Sequence, residues 1–180
     1  MKKTEQKVLL LLARETIIAR VNGQPLPVIE HPAAALQAPY GCFVTIKQQG
    51  QLRGCIGSFT APTPLWQTVR EMAVSAATKD PRFYPMKPAD LHEFQLEISV
   101  LTPLTQIQSP DEIHVGTHGL YLIKGQNHGV LLPQVATEHG WDRDTFLRQT
   151  CRKAGLPEDA WQKDCEIYIF SAEVFSEEHP

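Results

Sequence analysis

Arg53 and Cys55 stand two residues apart in the segment Leu52-Arg53-Gly54-Cys55-Ile56-Gly57. On an extended strand that spacing sends both side chains to one face, about 7 Å apart. A guanidinium at that range favours thiolate over thiol, and the thiolate is the species that attacks electrophiles. Cys55 is therefore a candidate nucleophile and Arg53 the group that lowers its pKa. The neighbouring Gly54 and Gly57 would leave the backbone bare for a substrate, although glycine in a strand equally marks a bulge or a tight crossing. Against this stands a packing alternative. Free cysteine is among the most buried residue types, and Arg53 would then pair with a structural carboxylate.

A second candidate constellation is Asp80-Pro81-Arg82-Phe83. Here an opposed charge pair sits on a loop stiffened by proline, a common place for binding groups. The alternative is that Asp80 and Arg82 simply close a turn, which Asp-Pro favours. Glu97 is either a solvated or sheet-pairing carboxylate, or the partner of Arg53 or Arg82. His114, His118, His128 and His139 lack the helical His-x-x-x-His pattern, because Gly116 and Gly119 break any such helix, and no cysteine pair completes a zinc set. A serine triad has no Gly-x-Ser-x-Gly elbow, while a Cys-His dyad built on Cys55 stays open, since its partner can be distant in sequence. Trp66, Trp141 and Trp161 are read as core and edge residues rather than a base-stacking platform.

The elements that must position these groups follow from periodicity. Val8, Leu11, Leu12 and Ile18 recur at helical spacing between Thr4 and about Val21, and Asn22-Gly23 supplies a stop, so a first helix with that face in the core is expected. Gln24 to Pro39 carries four prolines and reads as an extended surface connection. Cys42 to Lys47 and Leu52 to Phe59 flank Gln48-Gln49-Gly50-Gln51 and predict a hairpin. A four-residue turn would set Cys55 opposite Val44 and a three-residue turn opposite Phe43, so the register stays open. Thr63 is expected to cap a helix with Pro64 at its first position, Leu65, Val69, Met72 and Ala73 on one face, and an end near Asp80-Pro81.

Phe94, Leu96, Ile98 and Val100 alternate with polar residues, the pattern of a strand with Glu97 on its polar face. Further strands are predicted from Gly119 to Lys124 and Gly129 to Leu132. A helix capped by Asp142 should bury Phe146, Leu147 and Cys151, and a last strand should run from Glu166 to Val174, leaving Ser176 to Pro180 loose. Without a regular βαβ rhythm, the class is α+β with a mostly antiparallel sheet and flanking helices.

Composition narrows the function classes. The chain has 180 residues, 42% hydrophobic and 21% charged, enough for one domain or one domain with a small lobe. A formal net charge of -3 with no run of like charges argues against a nucleic-acid partner. The apolar run Val8 to Ala13 is too short for export or for spanning a membrane. Cys42, Cys55, Cys151 and Cys165 form no Cys-x-x-Cys pair and no dense framework, so reduced thiols in a cytoplasmic protein are expected.

The segment Leu52 to Gly57 closely resembles the AMMECR domain family. Asp80-Pro81-Arg82-Phe83, Leu96-Glu97-Ile98-Ser99-Val100-Leu101 and Gly129-Val130-Leu131-Leu132-Pro133-Gln134-Val135-Ala136 support the likeness, as do Trp141, Phe146-Leu147 and Lys153-Ala154-Gly155-Leu156. It runs from about Val8 to Phe175, which makes 1–180 one such domain with a loose tail at 176–180. Val130 stands where the family usually has leucine, a conservative departure. The resemblance implies an α+β fold with a larger and a smaller lobe enclosing a cleft near Arg53-Gly54-Cys55, and no established reaction. Microbial relatives occur with Memo-type proteins and radical S-adenosylmethionine proteins, sometimes fused to them. With no such domain fused here, those partners would act in trans.

Two functional readings result. In the first, the protein is an enzyme or enzyme component, with Cys55 and Arg53 catalytic and Gly54, Gly57, Asp80, Arg82, Glu97 and Gln134 binding a small substrate; no metal or cofactor enters that set. In the second, the same cleft is a non-catalytic module for a partner or ligand and Cys55 is structural. A role in RNA modification is a third reading, which the charge balance disfavours.

Overall fold

In the computed structural model, which describes residues 1–177, the predicted hairpin forms from β1 (Cys42–Gln48) and β2 (Gln51–Ser58). Gln49 and Gly50 have φ of 51° and 75°, the two positive values that a tight two-residue connection requires. β1 also pairs antiparallel with β3 (Phe94–Leu101). A late strand, β8 (Ala172–Ser176), completes a four-stranded sheet in the order β2-β1-β3-β8. One face of this sheet carries Val44, Ile46, Leu96 and Ile98, all essentially without exposure, each such burial contributing about 1.5–3 kcal/mol. That face is covered by α1 (Lys3–Val21) and α3 (Leu65–Thr78), with the short α2 (Ala34–Gln37) between them in sequence.

These elements belong to a first compact unit made of Met1–Leu101 and the stretch from Glu173; Thr102–Ala172 form a second. The second unit has its own antiparallel sheet, in the order β4-β7-β5-β6, from β4 (Thr105–Gln106), β5 (Gly119–Lys124), β6 (Asn127–Leu131) and β7 (Glu166–Phe170). α4 (Pro133–Glu138) follows β6, and α5 (Arg143–Lys153) packs on β5 and β6. The Asp142 carboxylate accepts the Thr145 N–H at 2.8 Å, the N-terminal cap that the sequence predicts. Phe146, Leu147, Leu120 and Leu122 are fully buried. The fold is α+β with antiparallel sheets and flanking helices.

Several expectations need correction. In α1 the buried face runs through Leu9, Leu12, Ala13, Thr16 and Ile17, whereas Val8 and Leu11 are exposed. An apolar run of six leaves the phase of a helix undetermined, and the stripe passes through the polar Thr16. The N-cap of α3 is Pro64 rather than Thr63; the Thr63 hydroxyl instead lies 3.1 Å from that of Thr68. The connection 24–39 includes α2, whose Leu36 is buried. The predicted last strand is two, β7 and β8, in different sheets. Nor do Ser176 and Glu177 hang loose: Ser176 ends β8, and the Glu177 carboxylate accepts from Arg14 Nε at 2.5 Å and from the Leu96 N–H at 2.9 Å. Residues 178–180 of that expected tail lie outside the described residues.

Gly54 faces α3 so closely that a Cβ there would run into the Ala76 carbonyl, backbone that cannot swing aside. Gly54→Ala is therefore expected to lower stability by about 1–3 kcal/mol through overpacking, read as a reduced urea midpoint. An unchanged midpoint would mean that α3 can move off the sheet without cost.

Candidate functional site

The geometry of the site begins with an irregularity. Gly54 pairs with Ile46 and Leu52 with Lys47, so Arg53 is an extra residue without a partner, a β-bulge. Past the bulge Cys55 lies opposite Thr45, which corrects both registers expected from the sequence. Residues directly opposite in an antiparallel pair share a face. Opposite Val44, Cys55 would have pointed into the helical core; opposite Thr45 it points to the other face. Thr45 also pairs with Glu97 on β3, so Cys55, Thr45 and Glu97 form a row across three strands. Cys55 is partly exposed, and its Sγ accepts a hydrogen bond from Thr45 Oγ1 at 3.2 Å.

The two charged residues expected beside the thiol are placed differently. The bulge interrupts the alternation on which a shared face for Arg53 and Cys55 depended. Arg53 is 8% exposed; its Nη2 donates to the Tyr84 carbonyl at 2.9 Å and lies 3.5 Å from Asp90 Oδ2, with the guanidinium 4.3 Å from the centre of the Tyr84 ring. The Asp90 carboxyl is held below its ordinary range, first by the Lys87 N–H and then by the Tyr84 hydroxyl and the Arg53 charge. Arg53 thus anchors the 84–90 loop. Glu97 pairs with Lys47, at 2.9 Å, and not with Arg53 or Arg82.

Asp80 and Arg82 act on the backbone of Cys55. β2 is an edge strand, and an edge exposes unpaired N–H and C=O groups. At Cys55 these groups are taken by side chains: the N–H donates to Asp80 Oδ2 at 2.9 Å, and the carbonyl accepts from Arg82 Nη2 at 3.2 Å. The two side chains stand in for a neighbouring strand. They are fixed to each other by Arg82 Nε to Asp80 Oδ1 at 2.9 Å and Nη2 to Oδ2 at 2.7 Å. The predicted turn is also present, with the Phe83 N–H bonded to the Asp80 carbonyl at 3.1 Å and Pro81 supplying the φ its second position needs. The Arg82 side chain, and then the N–H groups of Cys55 and Arg82, hold the Asp80 carboxyl well below the usual carboxylate range despite its burial.

Gly54 serves the close approach of α3, and Gly57 lies under the Phe43 ring, which a Cβ would strike. Gln134 belongs to the second unit, in the first turn of α4, where its carbonyl accepts from Thr137 Oγ1 at 2.8 Å. The other three cysteines are in different surroundings: burial pushes the Cys42 thiol up to about 12, Cys165 up to about 11 and Cys151 upward. Among the described residues no three His, Cys, Asp or Glu side chains converge to hold a metal ion, and no helix is long and apolar enough to cross a membrane. Thr45, Lys47, Tyr84 and Asp90 are site residues that the sequence reading did not single out. Alternation about Val44 does place Thr45 and Lys47 on the polar face, but the pairing of Thr45 with Cys55 depends on the bulge.

A carboxyl whose folded pKa is depressed contributes stability above its unfolded value, near 4, and loses it as pH falls through the folded value. Asp80→Asn is accordingly expected to cost about 1–3 kcal/mol at neutral pH, and the gap from wild type should close in strong acid. Urea unfolding at pH 7, at pH 3 and in stronger acid measures both: the gap should narrow by pH 3 and close only below the depressed folded value, and a gap that does not depend on pH would contradict the assignment.

The comparisons with known proteins agree along the chain. Residues 10–175 match the family model described as AMMECR1. Protein MK0488 of Methanopyrus kandleri is 43% identical over 186 residues, which is 98% of this chain and 90% of that protein. A protein of Thermococcus gammatolerans is 44% identical over 184 residues, 96% of this chain and 90% of its own. The crystal structure of the uncharacterized protein PH0010 from Pyrococcus horikoshii superposes with a TM-score of 0.88 at 38% identity, covering 100% of this chain and 95% of that one. The chain belongs to the AMMECR1 family.

Proposed function

We propose that the first unit presents Cys55 as a nucleophile or transient covalent carrier for a small electrophilic substrate, and that the protein is an enzyme or enzyme component on that account. The observation that supports this best is the bulge at Arg53, which turns Cys55 from the core face to the face where the Thr45 hydroxyl donates to its sulfur. The hydroxyl fixes the direction of the sulfur, and bulges are enriched next to active sites because they re-aim side chains. In this reading the thiolate forms a bond to an electrophilic carbon as the leaving group departs with its electron pair. Arg82 and the Lys47–Glu97 pair orient the substrate, and Arg53 holds the loop that follows Arg82. The family resemblance adds Memo-type and radical S-adenosylmethionine proteins as partners in trans, and the pattern of cysteines adds a cytoplasmic setting.

A second reading, a binding module without turnover, draws on two other observations. The Cys55 N–H is already bonded to Asp80 and so is not free to stabilise an oxyanion, and Lys47 neutralises Glu97, the carboxylate of the row. Alkylation of the native protein by iodoacetamide, followed by mass spectrometry across pH, separates the two. Under the first reading Cys55 reacts at least about tenfold faster than Cys42, Cys151 and Cys165, and Thr45→Val removes part of that advantage. A Cys55 as slow as the buried Cys42 would leave the binding reading.

A further inference from the structure

The ion pairs flanking Cys55 are lopsided. In the Asp80–Arg82 pair the Asp80 side chain is 2% exposed and the Arg82 side chain 53%; in the Glu97–Lys47 pair the side chains are 27% and 39% exposed. The four charges sum to zero, yet the Asp80–Arg82 pair turns its cation outward and its anion inward, and in the Glu97–Lys47 pair both side chains reach solvent, Lys47 somewhat more. An exposed cation with a buried counter-charge still sets up a positive local potential, because the buried partner is the more distant charge for anything arriving from solvent. Both cations belong to the thiol's own surroundings. Arg82 hydrogen-bonds the Cys55 carbonyl, and Lys47 is two residues along β1 from Thr45, on the same face.

Asp80 further fixes which part of Arg82 is available. Nε and Nη2 face the carboxylate, with Nη2 shared with the Cys55 carbonyl. The Nη1 amino group points away from that bidentate edge as a pre-positioned donor. A buried carboxylate that locks the guanidinium reduces the entropy lost when Nη1 binds a ligand. One such donor and one ammonium match a singly charged, two-oxygen group better than a phosphate dianion.

We infer that the substrate of the Cys55 site is a small electrophile carrying a carboxylate, recognised by Arg82 and Lys47. This rests on the reading of Cys55 as a nucleophile and names the substrate class for it. Two alkylating probes differ in the relevant charge alone: iodoacetate, which is anionic, and iodoacetamide, which is neutral. In both reactions the thiolate sulfur forms a bond to the methylene carbon, iodide leaves with the electron pair, and the thiol proton passes to solvent.

The experiment measures the rate ratio of iodoacetate to iodoacetamide at Cys55 in the native full chain, against the same ratio for glutathione. The expected ratio is about five- to tenfold above that of glutathione at low salt and falls toward it as sodium chloride is raised, since exposed charges are screened. Arg82→Gln and Lys47→Gln are each expected to lower it, the latter by leaving Glu97 unneutralised. The salt series on the wild type needs no variant to fold. A ratio equal to that of glutathione at every salt concentration, with Cys55 reacting readily with iodoacetamide, overturns the carboxylate assignment and leaves the nucleophile intact. A Cys55 inert to both probes overturns the nucleophile and the substrate class together.

Discussion

Antiparallel pairing puts opposite residues on one side of a sheet, so one extra residue in β2 exchanges the faces of everything beyond it. The bulge at Arg53 makes that exchange between Leu52 and Gly54. Gly54 falls on the helical face, where only the absence of a Cβ lets α3 lie against it. Cys55 falls on the opposite face in line with Thr45 and Glu97. A regular hairpin would have put the thiol among Val44, Ile46 and Ile98, where burial raises thiol pKa values as it does at Cys42.

A bulge left to itself would loosen an edge strand. Here side chains from the segment after α3 hold it from outside. Arg53 reaches the Tyr84 carbonyl and Asp90, while Asp80 and Arg82 take the N–H and C=O of Cys55. Buried charge is costly unless it is paired and hydrogen-bonded. Asp80 meets both conditions with donors from three groups: the Arg82 side chain, the Arg82 N–H and the Cys55 N–H. The network therefore closes the sheet edge and fixes the thiol's backbone at once, so structural and functional readings of Asp80 and Arg82 describe the same contacts.

The Asp80 carboxylate is drawn inward by backbone and guanidinium donors, whereas the long Arg82 and Lys47 side chains keep their heads toward solvent. The exposed Lys47–Glu97 pair contributes little to stability. The orientation of the two pairs nonetheless decides the sign of the potential near Cys55, which bears on what approaches the thiol more than on how firmly the sheet is held.

Elements with strong period and punctuation follow from the residues alone. β3 is legible from the alternation of Phe94, Leu96, Ile98 and Val100, the β1–β2 hairpin from the strands flanking Gln48-Gln49-Gly50-Gln51, and α5 from Asp142 and its apolar face. The motifs of Leu52 to Gly57 and Asp80 to Phe83 marked the family and the neighbourhood of the site. Tertiary structure alone decided the rest. The phase of α1 was hidden in an apolar run that offers no polar face, and the split of β7 from β8 reflects pairing with different sheets. Most of all, local sequence sets the spacing of Arg53 and Cys55 but not the extra residue between pairings. That bulge is selected by the close fit of Gly54 beneath α3 and by the long-range bonds of Arg53, Asp80 and Arg82. Contacts between residues about thirty positions apart, which no short-range periodicity encodes, thus determine which side of the sheet the thiol faces.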